Sequence, residues 1–179
     1  MRVFGIDCGT VCTGYGVVDV VEEQREARLV SVACGGICMP KKDTLPDCLA
    51  RVYAELSSML AIYKPDAVAV EGVFYSVNAK SALKLGHVRG VALLAAANAG
   101  LPVAEYAPLS IKSAVVGYGL ADKEQVGFMV ARLLRLDEIP RPADAADALA
   151  IAICHIHSAQ TLLLQGDSSG FIRKAGRPA

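Results

Sequence analysis

Arg2-Val3-Phe4-Gly5-Ile6-Asp7-Cys8-Gly9-Thr10 is the stretch on which the fold turns. An apolar run ends in one carboxylate, Asp7, is followed at once by turn residues, and gives way to a second apolar run from Gly14 to Val21. This is the pattern of a buried strand that delivers an acid to its carboxyl end. Taken alone, the stretch suits two chemistries: a backbone cradle for a nucleotide phosphate, or a ligand for a metal ion.

The segments that follow supply the rest of a sheet. Residues 2–7 and Tyr15–Val21 read as strands, Glu22–Glu26 as a hairpin connection, and Ala27–Met39 as a third strand kinked near Gly35-Gly36. Leu45, Leu49, Val52, Leu56, Met59, Leu60 and Tyr63 recur at three- and four-residue steps, which predicts an amphipathic helix stopped by Pro65. Asp66–Glu71 is a short apolar strand that again finishes on a carboxylate. A helix follows from about Asn78 to Ala99, then a strand at Val103–Tyr106 and two short helices at Pro108–Val116 and Lys123–Arg135. The last helix opens near Ala143, after Pro140 and Pro142, and continues through Ile156 or beyond. Three hairpin-linked strands followed by alternating helices and strands give an α/β fold: a mixed five-stranded sheet of order 3-2-1-4-5, strand 2 antiparallel, with helices on both faces. Strands 1, 4 and 5 are then parallel, and their carboxyl ends share the edge where open α/β sheets place their sites. One domain is expected over residues 1–160, with 161–179 a helix end and a flexible basic tail.

With 54% hydrophobic residues, the chain has ample material for a core. Its 18 basic and 18 acidic residues cancel, so a nucleic-acid partner requires a local basic patch rather than a general positive coat. No apolar stretch reads as a signal segment or a membrane span, and a cytoplasmic address with reduced thiols is expected for the six cysteines. The Cys8/Cys12 and Cys34/Cys38 spacings invite a zinc reading, but both lie in strand-like segments rather than knuckle turns, which favours small buried thiols.

Topology brings four acids toward one edge. Asp7 ends strand 1, Glu71 ends strand 4, and Asp144 and Asp147 lie three residues apart on one face of the last helix. Each has an ordinary explanation as a turn residue, a solvated strand end or a helix-capping acid. Jointly, at the ends of apolar segments and among alanines, they favour a site. Clustered carboxylates repel, and a divalent cation relieves the repulsion; oxygen donors without a nearby histidine suit magnesium or manganese. His155 and His157, two or more turns further on, read as ordinary helix residues. Two magnesium ions so held would promote in-line phosphodiester cleavage.

The set Gly5-Ile6-Asp7, Thr13-Gly14-Tyr15-Gly16, Val70-Glu71 with Val73-Phe74, Ser81-Ala82-Leu83-Lys84-Leu85-Gly86 with Arg89-Gly90, and Ala143 through Ile151 resembles the RuvC family of crossover junction endodeoxyribonucleases. The resemblance runs from about residue 2 to 158. It implies a ribonuclease H-like fold and a homodimer. It also implies a structure-selective endonuclease that resolves Holliday junctions by two symmetric nicks, using two magnesium ions per active site, with manganese a substitute. Carried over by position, Asp7, Glu71, Asp144 and Asp147 match the acidic metal-site positions, Phe74 an aromatic that stacks at the junction, and Lys112 and Lys123 basic positions at the DNA backbone. Asn78, Lys80, Lys84 and Arg89 are expected to extend that patch. The implied partners are four-way junction DNA, a second copy of the chain and a branch-migration helicase of the RuvA and RuvB type. Cys8, Thr10, Val11 and Gly72 depart from the family's usual proline, serine, basic residue and glutamine, which puts DNA contacts, not metal ligands, in question. The rival readings are a ribonuclease H-like nuclease acting on RNA, an interaction module without metal, and an actin-like ATPase domain. The ATPase needs a second lobe and has no counterpart to the paired acids on the last helix.

Overall fold

The structure is a computed structural model that describes residues 1–23, 26–40, 42–72 and 79–164. Five strands, β1 (Arg2–Asp7), β2 (Cys12–Glu23), β3 (Glu26–Cys38), β4 (Ala67–Glu71) and β5 (Val103–Tyr106), form one sheet in the order β3-β2-β1-β4-β5. β2 is antiparallel to β1 and β3, whereas β1, β4 and β5 run parallel. The expected architecture is therefore the observed one.

Five helices clothe the sheet: α1 (Leu45–Tyr63), α2 (Ala79–Asn98), α3 (Pro108–Val116), α4 (Lys123–Leu133) and α5 (Ala143–Leu164). Phe4, Ile6, Val17, Val68 and Val70 meet Val52, Leu56, Val88 and Ala92 of α1 and α2 in one core. Val3, Val18 and Ala69 meet Leu149, Ile153 and Ile156 of α5 in the other, with α3 and α4 packed outside α5. Successive strand residues thus point to opposite helical layers, as the pleat requires.

Local chemistry sets the helix ends. Thr44 caps α1 in a capping box with Asp47, and Lys64 closes it in the left-handed region at φ 47°, just before Pro65. Asp122 and Gln125 form the same box at the start of α4. That helix ends at Leu133, two residues before the expected Arg135, because Arg135 takes φ 54° and turns the chain away. The expected kink in β3 lies elsewhere too. Gly35 and Gly36 pair regularly with Tyr15 and Gly14, and the register shifts at Val32, between the Val17↔Ala33 and Val18↔Ser31 pairs. The extra residue there is a bulge.

The sequence expectation of six reduced thiols is corrected at one pair. Cys12 and Cys38 stand opposite each other in the β2–β3 register and are joined by a disulfide. Cys8, Cys34, Cys48 and Cys154 are free. Among the described residues, no helix is long and apolar enough to cross a membrane.

Candidate active site

The sheet's alternation decides where the acids point. Val3 and Ala69 face α5 while Phe4, Ile6, Val68 and Val70 face α1 and α2. Asp7 and Glu71 share the parity of Val3 and Ala69, so both fall on the α5 side. They end neighbouring parallel strands, one step beyond the Ile6↔Val70 pair.

α5 reaches these acids because the strands beneath it lack side chains. A Cβ at Gly5 would fall on the carbonyl oxygen of Ala148, and one at Gly14 on that of Asp144. On the helix side Ala145, Ala148 and Ala152 are fully buried. Glycine against alanine lets helix and sheet approach until the start of α5, with Asp144 and Asp147, overhangs the ends of β1 and β4. This is the physical content of the alanine-rich Ala143–Ala150 segment.

Asp7, Glu71 and Asp147 line one cleft of about 150 Å³ together with Lys112, Lys123, Pro108, Ile111 and Ala150. Lys123 Nζ donates to Asp147 Oδ2 at 2.8 Å. Asp144 is not in the cleft wall but acts on Asp7 through space. Burial, and then the charges of Asp147, Glu71 and Asp144, push the Asp7 carboxyl up to about 7, with Lys123 opposing. Burial followed by Asp147 also raises Glu71, against Lys123 and Lys112. Lys123 is raised in turn by its hydrogen bond to Asp147. Next to this cluster, burial and then Asp7 push the Cys8 thiol up to about 12. A larger, mostly apolar groove of about 540 Å³ lies between α1 and α2, around Tyr53, Leu60 and Leu101, and contains none of these acids.

The cluster suits a hard divalent cation in donor chemistry and in charge. Its donors are all carboxylate oxygens, and its central member is driven toward protonation first by burial and then by the negative charge of Asp147, Glu71 and Asp144. Among the described residues, no three His, Cys, Asp or Glu side chains form a group that encloses an ion.

The remaining candidates separate. Lys80 and Lys84 are exposed on α2, in the opposite helical layer, and do not line the cleft. Arg89 is 8% exposed and forms an ion pair with Glu105 of β5. It is a buried tether between α2 and β5, which corrects its expected place in a surface patch. Phe74 and Asn78 lie outside the described residues. His155 meets the Tyr106 hydroxyl at 2.9 Å and His157 the Ala114 carbonyl at 3.0 Å, both away from the acids. Sequence reasoning placed Lys123 at DNA and missed its direct contact with Asp147. The helix start at Lys123 was already read from the sequence and is set by the Asp122–Gln125 capping box, but no sequence pattern pairs this lysine with Asp147.

Comparison with known proteins gives a consistent picture. The family model described as crossover junction endodeoxyribonuclease RuvC matches residues 3–155. The crossover junction endodeoxyribonuclease RuvC of Acidobacterium capsulatum is 67% identical over 168 residues, covering 92% of this chain and 98% of that protein. The chain is similar to the Thermus thermophilus RuvC structure at 37% identity and a TM-score of 0.82, over 90% of this chain and 96% of that one. The same coverage holds for T. thermophilus RuvC in complex with Holliday junction substrate, at 35% identity and a TM-score of 0.80. With the family model running from Val3 of β1 through His155 of α5, the chain belongs to the RuvC family of crossover junction endodeoxyribonucleases.

Proposed function

We propose that the chain is a metal-dependent endonuclease that resolves Holliday junctions by two symmetric nicks, in DNA recombination and repair. The observation that carries this is the convergence of Asp7, Glu71 and Asp147 with Lys112 and Lys123 in one cleft. The relative solved with a Holliday junction substrate supports the choice of DNA.

Asp7, Glu71, Asp144 and Asp147 would hold two magnesium ions, or manganese in their place. Such ions supply a water ionised near neutral pH and screen the charge developing on the leaving oxygen. The chain's own residues do the rest. Asp7 and Glu71 fix the sheet side of the cleft, and Asp144 and Asp147 the helix side. Lys112 and Lys123 hold the phosphate backbone and offset the carboxylates' charge, which positions the strand without reading its sequence. Lys80 and Lys84 extend this contact outward, with Asn78, and Phe74 stacks on a base at the crossover, worth ~1–3 kcal/mol. The catalytic unit is residues 1–160, with 161–179 as helix end and basic tail.

Two like nicks across a four-way junction call for two copies of the site related by a two-fold axis. α2 offers a surface for this. Leu83 and Leu94 are 66% and 53% exposed, and Gly86, Gly90 and Ala97 are exposed beside them. Branch-migration partners of the RuvA and RuvB type and a cytoplasmic location complete the reading. The test incubates the protein with synthetic four-way junctions and matched linear duplexes or RNA hybrids, with magnesium or with chelator. Magnesium-dependent, paired nicks in junctions alone are expected; equal cutting of linear duplex or of RNA would overturn the proposal.

A further inference from the structure

The disulfide at the start of β2 takes no part in the chemistry above. Cys12 and Cys38 are 26 residues apart in sequence, with Cα atoms 4.0 Å apart. Cys38 is exposed, whereas Cys12 is 8% exposed. The strands are held together independently of the sulfurs, by the Thr13↔Ile37 and Gly14↔Gly36 pairs and by Met39 N–H donating to the Val11 carbonyl. The bond can therefore open and close on a fixed frame. Its surroundings tie it to the site. A Cβ at Gly36 would meet both Cys12 Sγ and the Pro142 ring, and Gly14, two residues after Cys12, lies under Asp144. The sulfur bridge thus lies across the two strand ends on which the start of α5 is seated.

We propose that Cys12 and Cys38 form a reversible, oxidant-responsive staple beneath the Pro142–Asp144 segment. A hydroperoxide transfers one oxygen to the exposed Cys38 thiolate, giving a sulfenic acid and releasing the hydroperoxide's other oxygen as hydroxide or alkoxide. Cys12 sulfur then attacks Cys38 sulfur and expels hydroxide. The balance is two thiols and one hydroperoxide to one disulfide, one water and one water or alcohol. A dithiol reductant restores both thiols by exchange and leaves as its own disulfide. Under the cytoplasmic reading given above, such a bond is of the transient, redox-sensing kind. Closing it restricts the unfolded chain across the β2–β3 hairpin, so the oxidised protein is the more heat-resistant form, while the acids cut in both states.

The test uses the full chain treated with hydrogen peroxide or with dithiothreitol, alkylated and digested with trypsin. Peptide 3–25 carries Cys8 and Cys12, and peptide 29–41 carries Cys34 and Cys38, so tandem fragmentation must locate the link. The expected product is a Cys12–Cys38 crosslink that forms with peroxide and disappears with dithiothreitol. It is accompanied by a rise in Tm of roughly 5 °C. Cys38→Ser, at an exposed position, should show neither. Absence of the crosslink, a crosslink with no change in Tm, or an equal Tm rise in Cys38→Ser each overturns the proposal. None of these readouts involves DNA cutting, so they remain decisive even if the nuclease reading fails.

Discussion

Asp7→Asn should abolish cutting and yet stabilise the protein. The rise of Asp7 from an ordinary 3.8 to about 7 means that the ionised carboxylate is costly in this setting, by about 4 kcal/mol at ~1.36 kcal/mol per pH unit. Rearrangement of the neighbouring acids and of Lys123 recovers part of this, so about 2 kcal/mol is expected from the neutral amide, or about 4–8 °C in Tm. The sign depends on pH. The folded protein holds the Asp7 proton more tightly than the unfolded chain does, so the cost is absent below about pH 4. It accumulates as pH rises and is complete above about 7. Thermal unfolding in chelator at pH 5 and pH 8 measures it. The variant should gain at pH 8 and only about two-fifths as much at pH 5, while magnesium raises the Tm of the native chain only. A variant less stable than the native chain at pH 8, or one with the same gain at both pH values, would refute this account of the cluster.

Other substitutions separate site chemistry from stability. Lys123→Ala should change Tm by less than about 4 °C, since a pair whose lysine is 74% exposed contributes at most ~1 kcal/mol. Single-turnover junction nicking by the same variant should fall about 100-fold; unchanged nicking would remove Lys123 from the machinery. Gly14→Ala places a methyl on the Asp144 carbonyl, so a loss of about 3 kcal/mol and about 100-fold in cutting is expected, read by denaturant titration and nicking. Arg89→Met should alter stability by no more than about 1 kcal/mol. Glu105 is 54% exposed and can return to water, and Arg89 Nη1 is buried without a hydrogen-bond acceptor among the described residues. Junction affinity, measured by fluorescence anisotropy, should stay within about twofold. A tenfold loss would return Arg89 to the DNA surface.

The sheet order and the neighbouring positions of Asp7 and Glu71 were legible because both follow from topology: helical crossovers make β1, β4 and β5 parallel and align their ends. The face that each acid occupies was not legible. β1 and β4 are apolar on both sides, as Val3 and Phe4 or Val68 and Ala69 show, so the alternation carries no inside-outside signal until the helices are placed. Arg89 was misplaced for a similar reason. α2 is rich in alanine and glycine, and its buried side is marked only weakly, by Val88, Ala92, Ala95 and Ala96. The cysteine spacing pointed to neighbours four apart, whereas the length of the β2–β3 hairpin sets the pairing and brings Cys12 to Cys38. Gly35 and Gly36 drew the kink to themselves, although their role is to let Tyr15 and Pro142 pack close.

The seating of α5 has a consequence for how this protein fails. Residues Ala148 through Ile156 are buried almost without interruption, between the sheet and the layer formed by α3 and α4. Their amides can exchange with solvent only when that sandwich opens, which in a core helix requires global unfolding. Asp144 and Asp147 stand on the first two turns of this same helix, so their spacing persists for as long as the helix is enclosed. Heating or denaturant should therefore leave no stage at which the molecule is folded but its helix-borne acids are out of register. The loss of cutting and the release of the slowest α5 amides should follow one curve.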